Sequence, residues 1–517
     1  MEKIATLKKI LISLSILLLY GALSFAQSEA TVNYYQADSI LHKILKKYNA
    51  YFSYNKPVEF YFEGKEFTTG HFPVPNQYDT ANIKCTITSL NNKDELIHLE
   101  TSEVTVKYHA YNLFSEDASS STYYNDSVPK RKNKDLLQFP YMYLPYKALQ
   151  LLLENKNSLH CIKSKIINIL GFNDKSGNKY YLYADSKNQE IKKIERLEHD
   201  EIYGDVVQEI IYSNYKTIKG LPIPSQILHK KNNFPQRVFN YKSLNINPTI
   251  DTILIKKYDP LYFSSQILEQ TQTAYELDTI APGLYILKLK LLNNKVLVAE
   301  YKDFLSIIEA PQNLETGRSI IKYLNEKFPT KKIKYCFVSH HHPDHAGAIT
   351  AFMENNSTII STNKSINFFK TISKGKSTRI LNNNDLVISN KVSYHIIDAD
   401  SNKTFFSKEY PLKVYERGKS TFHTNEYLFF YFPVQKILFV GDLVYFSATG
   451  VIPQSKRAYS LFKLITEENI LVNRIYTSFP LNGVKEYGTF EDLKAALKQN
   501  YPEINSKITT NGIITAH

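Results

Sequence analysis

The chain of 517 residues has no tryptophan and three cysteines, Cys85, Cys161 and Cys336. Three thiols without a CxxC pair exclude a disulfide-stapled scaffold, a zinc ribbon and a thioredoxin-type redox centre. Glycine is scarce, at 17 residues, and no glycine-rich loop able to cradle a phosphate occurs. No Ser/His/Asp arrangement competes for the chemistry. No segment recurs at a fixed period, which excludes solenoids and propellers. Beyond the first 26 residues no apolar run approaches the roughly 18–20 residues that span a bilayer.

What is present is an ordinary globular composition, 43% hydrophobic and 22% charged, long enough for two or three domains. The aromatic load is 39 Tyr and 29 Phe, residues that favour half-buried strands. Residues 1–26 read as a signal peptide: Lys3, Lys8 and Lys9, the apolar run Ile10 to Leu23, then the small residues of Ser24-Phe25-Ala26 before Gln27. The alternative is an uncleaved N-terminal anchor. The mature chain is therefore expected to be exported, periplasmic or secreted, and soluble, with no transmembrane segment. The net charge of +13 would suit nucleic acid, but an exported protein rarely meets it, and no nucleic-acid partner is expected. The basic run Lys130-Arg131-Lys132-Asn133-Lys134 follows the polar tract Ala118 to Ser127 and reads as a solvated surface loop.

The two halves differ in texture. Residues 27–260 show short strand-like runs, such as Asn178 to Ala184 and Val206 to Tyr215, punctuated by the turn Lys219-Gly220. In Ile191 to Leu197 the apolar residues recur every three positions, which leaves helix and strand both open. Helical patterns are clearest at Ser39 to Tyr48 and Tyr146 to Leu153. The order of strand-like runs over 179–229 resembles the periplasmic lipoprotein-carrier type of half-barrel, a curved antiparallel sheet cupping a helix; an unrelated β-rich α+β accessory domain is the alternative. This domain could also dock a partner protein. His71, His109 and His160 lack ligand spacing. After Asn247-Pro248 and Ala281-Pro282-Gly283 the pattern changes to strand–loop–helix alternation, with strands at Lys295 to Val298, Leu305 to Glu309 and Lys334 to Val338 and a helix at Glu315 to Lys327. Such alternation implies a layered α/β domain over about 270–517.

Directly after the strand Tyr335 to Val338 comes Ser339-His340-His341-His342-Pro343-Asp344-His345, which contains H-x-H-x-D-H. Two imidazoles at i and i+2 in an extended loop can converge on one cation, and the next turn brings a carboxylate and a third imidazole beside it. Zinc takes imidazole nitrogens at about 2.0–2.1 Å and tolerates carboxylate oxygen. A histidine-rich surface turn is the bland alternative, and the preceding buried-type strand argues against it.

With this motif the sequence resembles the metallo-β-lactamase superfamily. The resemblance implies an αββα sandwich, a third histidine for a first metal and, about twenty residues on, an aspartate bridging two metals. His423 opens His423-Thr424-Asn425-Glu426-Tyr427; an apolar run, the turn Pro433-Val434-Gln435-Lys436 and the strand Ile437 to Val440 then lead to Gly441-Asp442. His395 competes for the third-ligand role but is not followed by such a hairpin. The resemblance thus assigns His340, His342 and His423 to the first metal, and Asp344, His345 and Asp442 to the second, with Asp344 also orienting a metal-bound hydroxide. A helix over Ala346 to Glu354 would cover the site. Two positions depart from the family pattern. Glu309 stands where an aspartate orients the metal loop, and in Arg474 to Leu481 Phe479 falls where the last histidine ligand is expected. The expectation is a zinc-dependent hydrolase of a small-molecule substrate with one strong and one weakened metal site, iron or manganese being alternative metals. The competing readings are a degenerate ligand- or partner-binding member and a mononuclear iron oxygenase acting on sulfur compounds.

Overall fold

The computed structural model describes residues 29–505 except 54–55, 69–73, 76, 92–93, 103–106, 115–117, 122–129, 134–138, 163, 165, 176, 251–274, 377, 379–391, 399 and 407–409, and describes no side chain over 103–140. The signal-peptide reading of 1–26, His71, the side chain of His109, and His517 lie outside the described residues. No described helix is long and apolar enough to cross a membrane. The chain divides into two compact units, one within 1–267 and the other chiefly 268–517 with the short stretches 68–79 and 199–205.

The first unit is built on a thirteen-stranded sheet. Its first strand, Val58–Thr68, pairs antiparallel with its last, Phe234–Ile246. Two meanders therefore fan out from a central seam, ending at the edge strands Lys130–Asn133 and His160–Ile162. Alternation is plain in Lys179–Asp185, where Tyr180, Leu182 and Ala184 are buried between more exposed neighbours. The helix over 29–53 presents Ala37, Leu41, Ile44, Tyr48 and Tyr51 to this sheet at steps of four and three, the spacing of one helical face. Each large apolar side chain so buried contributes about 1.5–3 kcal/mol.

Two features of this sheet differ from the sequence reading. Ile191–Asp200 is a strand in which a register shift between Ile191 and Lys193 gives the three-residue step from Ile191 to Ile194, while Leu197 lies off the buried face. A bulge inserts one residue and moves the inward set by one place. The polar tract and basic run, expected to be a surface loop, contain the strands Ala118–Ser121 and Lys130–Asn133, paired antiparallel at the sheet edge. Basic residues are tolerated on an edge strand, where they deter pairing with another chain.

The second unit holds two sheets. The seven-stranded sheet runs Tyr275–Ala281, Leu284–Leu289, Asn294–Glu300, Phe304–Ile308, Lys332–Phe337, Thr358–Thr362, Tyr394–Ile397. Its last four strands are parallel. The five-stranded sheet runs Asn402–Phe405, Leu412–Glu416, Leu428–Phe432, Ile437–Phe439, Arg474–Tyr476. One core cluster joins both sheets, with Ile286, Leu297, Ile308, Phe337 and Ile360 from the first and Val414, Phe430 and Phe439 from the second. A second cluster packs the helices Leu314–Lys327, Ile349–Glu354 and Asn363–Ile372 on the seven-stranded sheet. A third packs Lys456–Glu467 and Phe490–Leu497 on the five-stranded sheet. The helix expected over Ala346 to Glu354 is two pieces, Pro343–Ala346 and Ile349–Glu354. They part at Gly347, where a Cβ would lie 1.9 Å from the Gln312 carbonyl oxygen.

Candidate metal centre

The residues of interest lie in loops beyond the C-terminal ends of strands in both sheets, the usual place for sites in open α/β sheets. The strand Lys332–Phe337 runs into Val338 and Ser339 and delivers His340, His341 and His342. The backbone then turns: His345 and Ala346 donate amide hydrogen bonds to the His342 carbonyl. From the other sheet, Leu428 donates to the Ser339 carbonyl at 2.9 Å, bringing the loop that carries His423 against the histidine loop. The buried Glu416 carboxylate fixes that second loop by accepting from the amides of Gly418 and Tyr427.

Six sequence-predicted residues meet here. His340, His342, His345, His423 and Asp442 are all buried; Asp344 is half-exposed. The donor atoms of His340, His342 and His423 lie within 4.8 Å of one another, as do those of His340, His345 and Asp442. His423 Nε2 is 3.1 Å from His340 Nε2 and 3.2 Å from Asp442 Oδ2. His345 Nε2 is 3.5 Å from Asp344 Oδ2 and 3.7 Å from Asp442 Oδ1. Asp344 thus stands beside the second group while His340 takes part in both. His395 lies apart, in the strand Tyr394–Ile397, with Nε2 against Lys403 Nζ.

A metal fits these donors. Two imidazole nitrogens that face each other at 3.1 Å match the separation of about 3.3 Å between neighbouring ligands on a tetrahedral zinc with 2.0–2.1 Å bonds. The orientation of the His340 and His345 rings is set from behind. Ser339 Oγ meets His340 Nδ1 at 3.0 Å, leaving Nε2 for the cavity. Glu309 Oε1 meets His345 Nδ1 at 3.2 Å, while Oε2 accepts from the Ser339 amide at 3.3 Å. Carboxylate or hydroxyl partners on the far nitrogen are how histidine ligands are aimed and made more basic. The glutamate therefore reaches both the loop backbone and a ligand, and it does so from a left-handed backbone at φ 82°.

Charge in the cluster is uneven. Burial, reinforced by the neighbouring imidazoles, pushes His340 well below the ordinary histidine range and keeps it neutral. Burial opposes ionisation of His345 too, but Glu309, Asp344 and Asp442 outweigh it and hold this imidazole well above that range. Burial would raise the Asp442 carboxyl; His345 and His423 nevertheless keep it below the usual carboxylate range. His340 is thus already in the neutral form that binds a cation, beside the ionised Asp442, whereas His345 must release its proton for a cation to bind there.

In the segment expected to carry a last ligand, Arg474–Tyr476 runs parallel to Ile437–Phe439. The residue it sets against the cluster is Ser478, fully buried, with Oγ 3.4 Å from His345 Nδ1; Phe479 is half-buried beside it. No imidazole comes from this segment. Ser339, Asn294 and Tyr427 were given no role by the sequence. Asn294 Nδ2 donates to the Asp344 carbonyl at 3.0 Å, and the Lys295 amide donates to the Ser478 carbonyl at 2.6 Å. Contacts between segments so far apart in the chain leave no local pattern; Ser339, next to His340, and the Tyr427 ring, four residues after a candidate ligand, offered a signal.

A family model described as ODP family beta lactamase matches residues 291–466. No curated protein matches the chain. Among solved structures, a metallo-β-lactamase from Pontibacter korlensis is similar at 17% identity and a TM-score of 0.33, covering 43% of this chain and 97% of that one. The mono-zinc form of a metallo-β-lactamase from Pseudomonas aeruginosa is similar at 14% identity and a TM-score of 0.34, covering 45% and 97%. One from Hirschia baltica is similar at 14% identity and a TM-score of 0.32, covering 43% and 96%.

Proposed function

We propose that this chain, whose C-terminal part carries a metallo-β-lactamase superfamily domain, is an exported metal-dependent hydrolase of a small-molecule substrate. The observation that carries the reading is the convergence of His340, His342 and His423, with His345 and Asp442 alongside. The order helices, sheet, sheet, helices supports an αββα sandwich with the site at one edge of its sheets. His340, His342 and His423 would hold the first cation, zinc being a metal suited to three imidazoles. A bound cation supplies Lewis acidity that brings the pKa of water near 7. Asp344, the most exposed of the six, would orient a water at the site and could hold its proton. His345 and Asp442 would steady the arrangement and offer a second, weaker position, because the segment Arg474 to Leu481 supplies no imidazole to it. Export rests on the composition of residues 1–26.

Metal analysis of the purified mature protein, paired with a panel of esters, thioesters, lactones, lactams and phosphodiesters, tests the reading. Nearer one than two equivalents of zinc, and hydrolysis lost on chelation and regained with zinc, are expected. A protein that retains no metal, or a rate untouched by chelation, overturns it. N-terminal sequencing of the exported form should begin at Gln27.

A further inference from the structure

Tyr427 is fully buried between the two loops of the site. Its ring stacks on His340, with centroids 4.7 Å apart and planes 21° from parallel. Its hydroxyl accepts from the Asp442 amide at 3.1 Å and faces two acceptors, the Val440 carbonyl at 2.9 Å and Asp442 Oδ1 at 3.1 Å. The chain makes room for that hydroxyl. Gly441 runs at φ 61°, and a Cβ there would lie 2.1 Å from the Tyr427 oxygen. The phenol oxygen thus holds the Asp442 backbone amide, and its single proton is shared between the Val440 carbonyl and one carboxylate oxygen of Asp442. The other oxygen, Oδ2, is left pointing at His423 Nε2, 3.2 Å away.

We infer that Tyr427 is a positioning residue for the metal centre: its hydroxyl fixes which oxygen of Asp442 faces the first group of ligands, and its ring holds the plane of His340. The inference rests on the metal-binding reading above. Without the hydroxyl, the Asp442 side chain can rotate about its bond to the backbone, and the two groups of donors lose their common wall. Partners behind a ligand typically change metal affinity 10–100-fold when removed, which sets the size of effect to look for.

The test compares wild type with Tyr427→Phe, which keeps the stacked ring. Zinc affinity is measured by competition with a chromophoric chelator, and the cobalt(II)-substituted proteins are compared by their d–d spectra. The expected results are zinc binding weakened about 10–100-fold, an altered cobalt spectrum, and a smaller rise in melting temperature on adding zinc. In an Asp442→Asn background the same change should have little further effect on affinity, since the two residues act as one unit. If Tyr427→Phe lowers only the stability of the metal-free protein, and affinity and cobalt spectrum match wild type, the hydroxyl merely caps the turn and the inference fails. If wild type binds no zinc at all, the metal reading fails with it, an outcome distinct from the first. Should the variant not fold, 3-fluorotyrosine placed at position 427 alone gives a fluorine resonance. A shift of that resonance on zinc addition is expected, and an unmoved resonance overturns the inference.

Discussion

At the scale of single residues, His423 carries the greatest weight, because it comes from a different sheet from the other histidines and closes the first group of donors. His423→Ala should abolish metal-dependent activity and reduce the stabilisation that zinc confers. A ligand present at a hundred times its dissociation constant stabilises by about 2.7 kcal/mol, so the loss is readable as a melting shift with and without zinc. Equal metal content in variant and wild type would show that another residue completes the group. A second residue-scale prediction concerns the first unit. Glu95 and Lys147 are both fully buried, and neither Glu95 carboxylate oxygen has a hydrogen-bond partner. Burial raises the Glu95 carboxyl to about 7, with the Lys147 charge opposing it. Lys147→Met removes that charge and should leave Glu95 protonated in the fold, at a loss of stability that Lys147→Met with Glu95→Leu should recover in part. Urea denaturation of the three proteins near neutral pH decides it; an unchanged midpoint in the single variant would count against the coupling.

Among the elements, those whose pattern is local were legible in the sequence. The helix Leu314–Lys327 and the strands flanking the histidine motif lie within a few residues of their expected bounds, because their periodicity and the Asn313 cap, which accepts from the Thr316 amide, are written in neighbouring residues. The bulge at Ile191 to Lys193 was not legible, since it exists only against a partner strand. The same holds for the site. His340, His342, Asp344 and His345 are adjacent in sequence and easily read, and the resemblance pointed to Glu309; Ser339 acts on its neighbour His340, whereas Tyr427 matters through contacts that the fold creates. Gly347 marks a break that the helical pattern passes over. Gly347→Val should displace the Gln312 backbone and, with it, the turn that presents His345. We expect zinc affinity to fall while the far-ultraviolet circular dichroism changes little; unchanged affinity would mean that the loop absorbs the side chain. The segment around Ser478 offers the converse experiment. If one absent imidazole limits the second position, Ser478→His or Phe479→His should raise zinc content toward two equivalents, and the variant that succeeds identifies which residue faces the cavity.

At the scale of the whole molecule, the two units should respond to different solution variables. Zinc acts on the second. Acid acts on the first through His229, buried with Nε2 2.8 Å from Gln208 Oε1 and Nδ1 3.3 Å from the Tyr143 hydroxyl. Behind it, Arg237 donates to that same hydroxyl and to Glu66. Burial foremost, then the positive charges of Arg237, Lys231 and Arg196, hold His229 down to about 3. In the unfolded chain it titrates near 6.5. Because the folded value is the lower, the unfolded state binds more protons between these limits, so stability is intact above pH 6.5 and declines as the pH falls toward 3. One such group gives a slope of about 1.4 kcal/mol per pH unit. Hydrogen exchange of the strand Leu221–Lys231 should register that slope in the first unit whether or not zinc is present. His229→Gln, which keeps a hydrogen-bonding side chain but cannot titrate, should flatten it. A slope that persists undiminished in the variant would move the acid sensitivity to other groups and leave the Tyr143–His229–Gln208 chain a purely neutral brace.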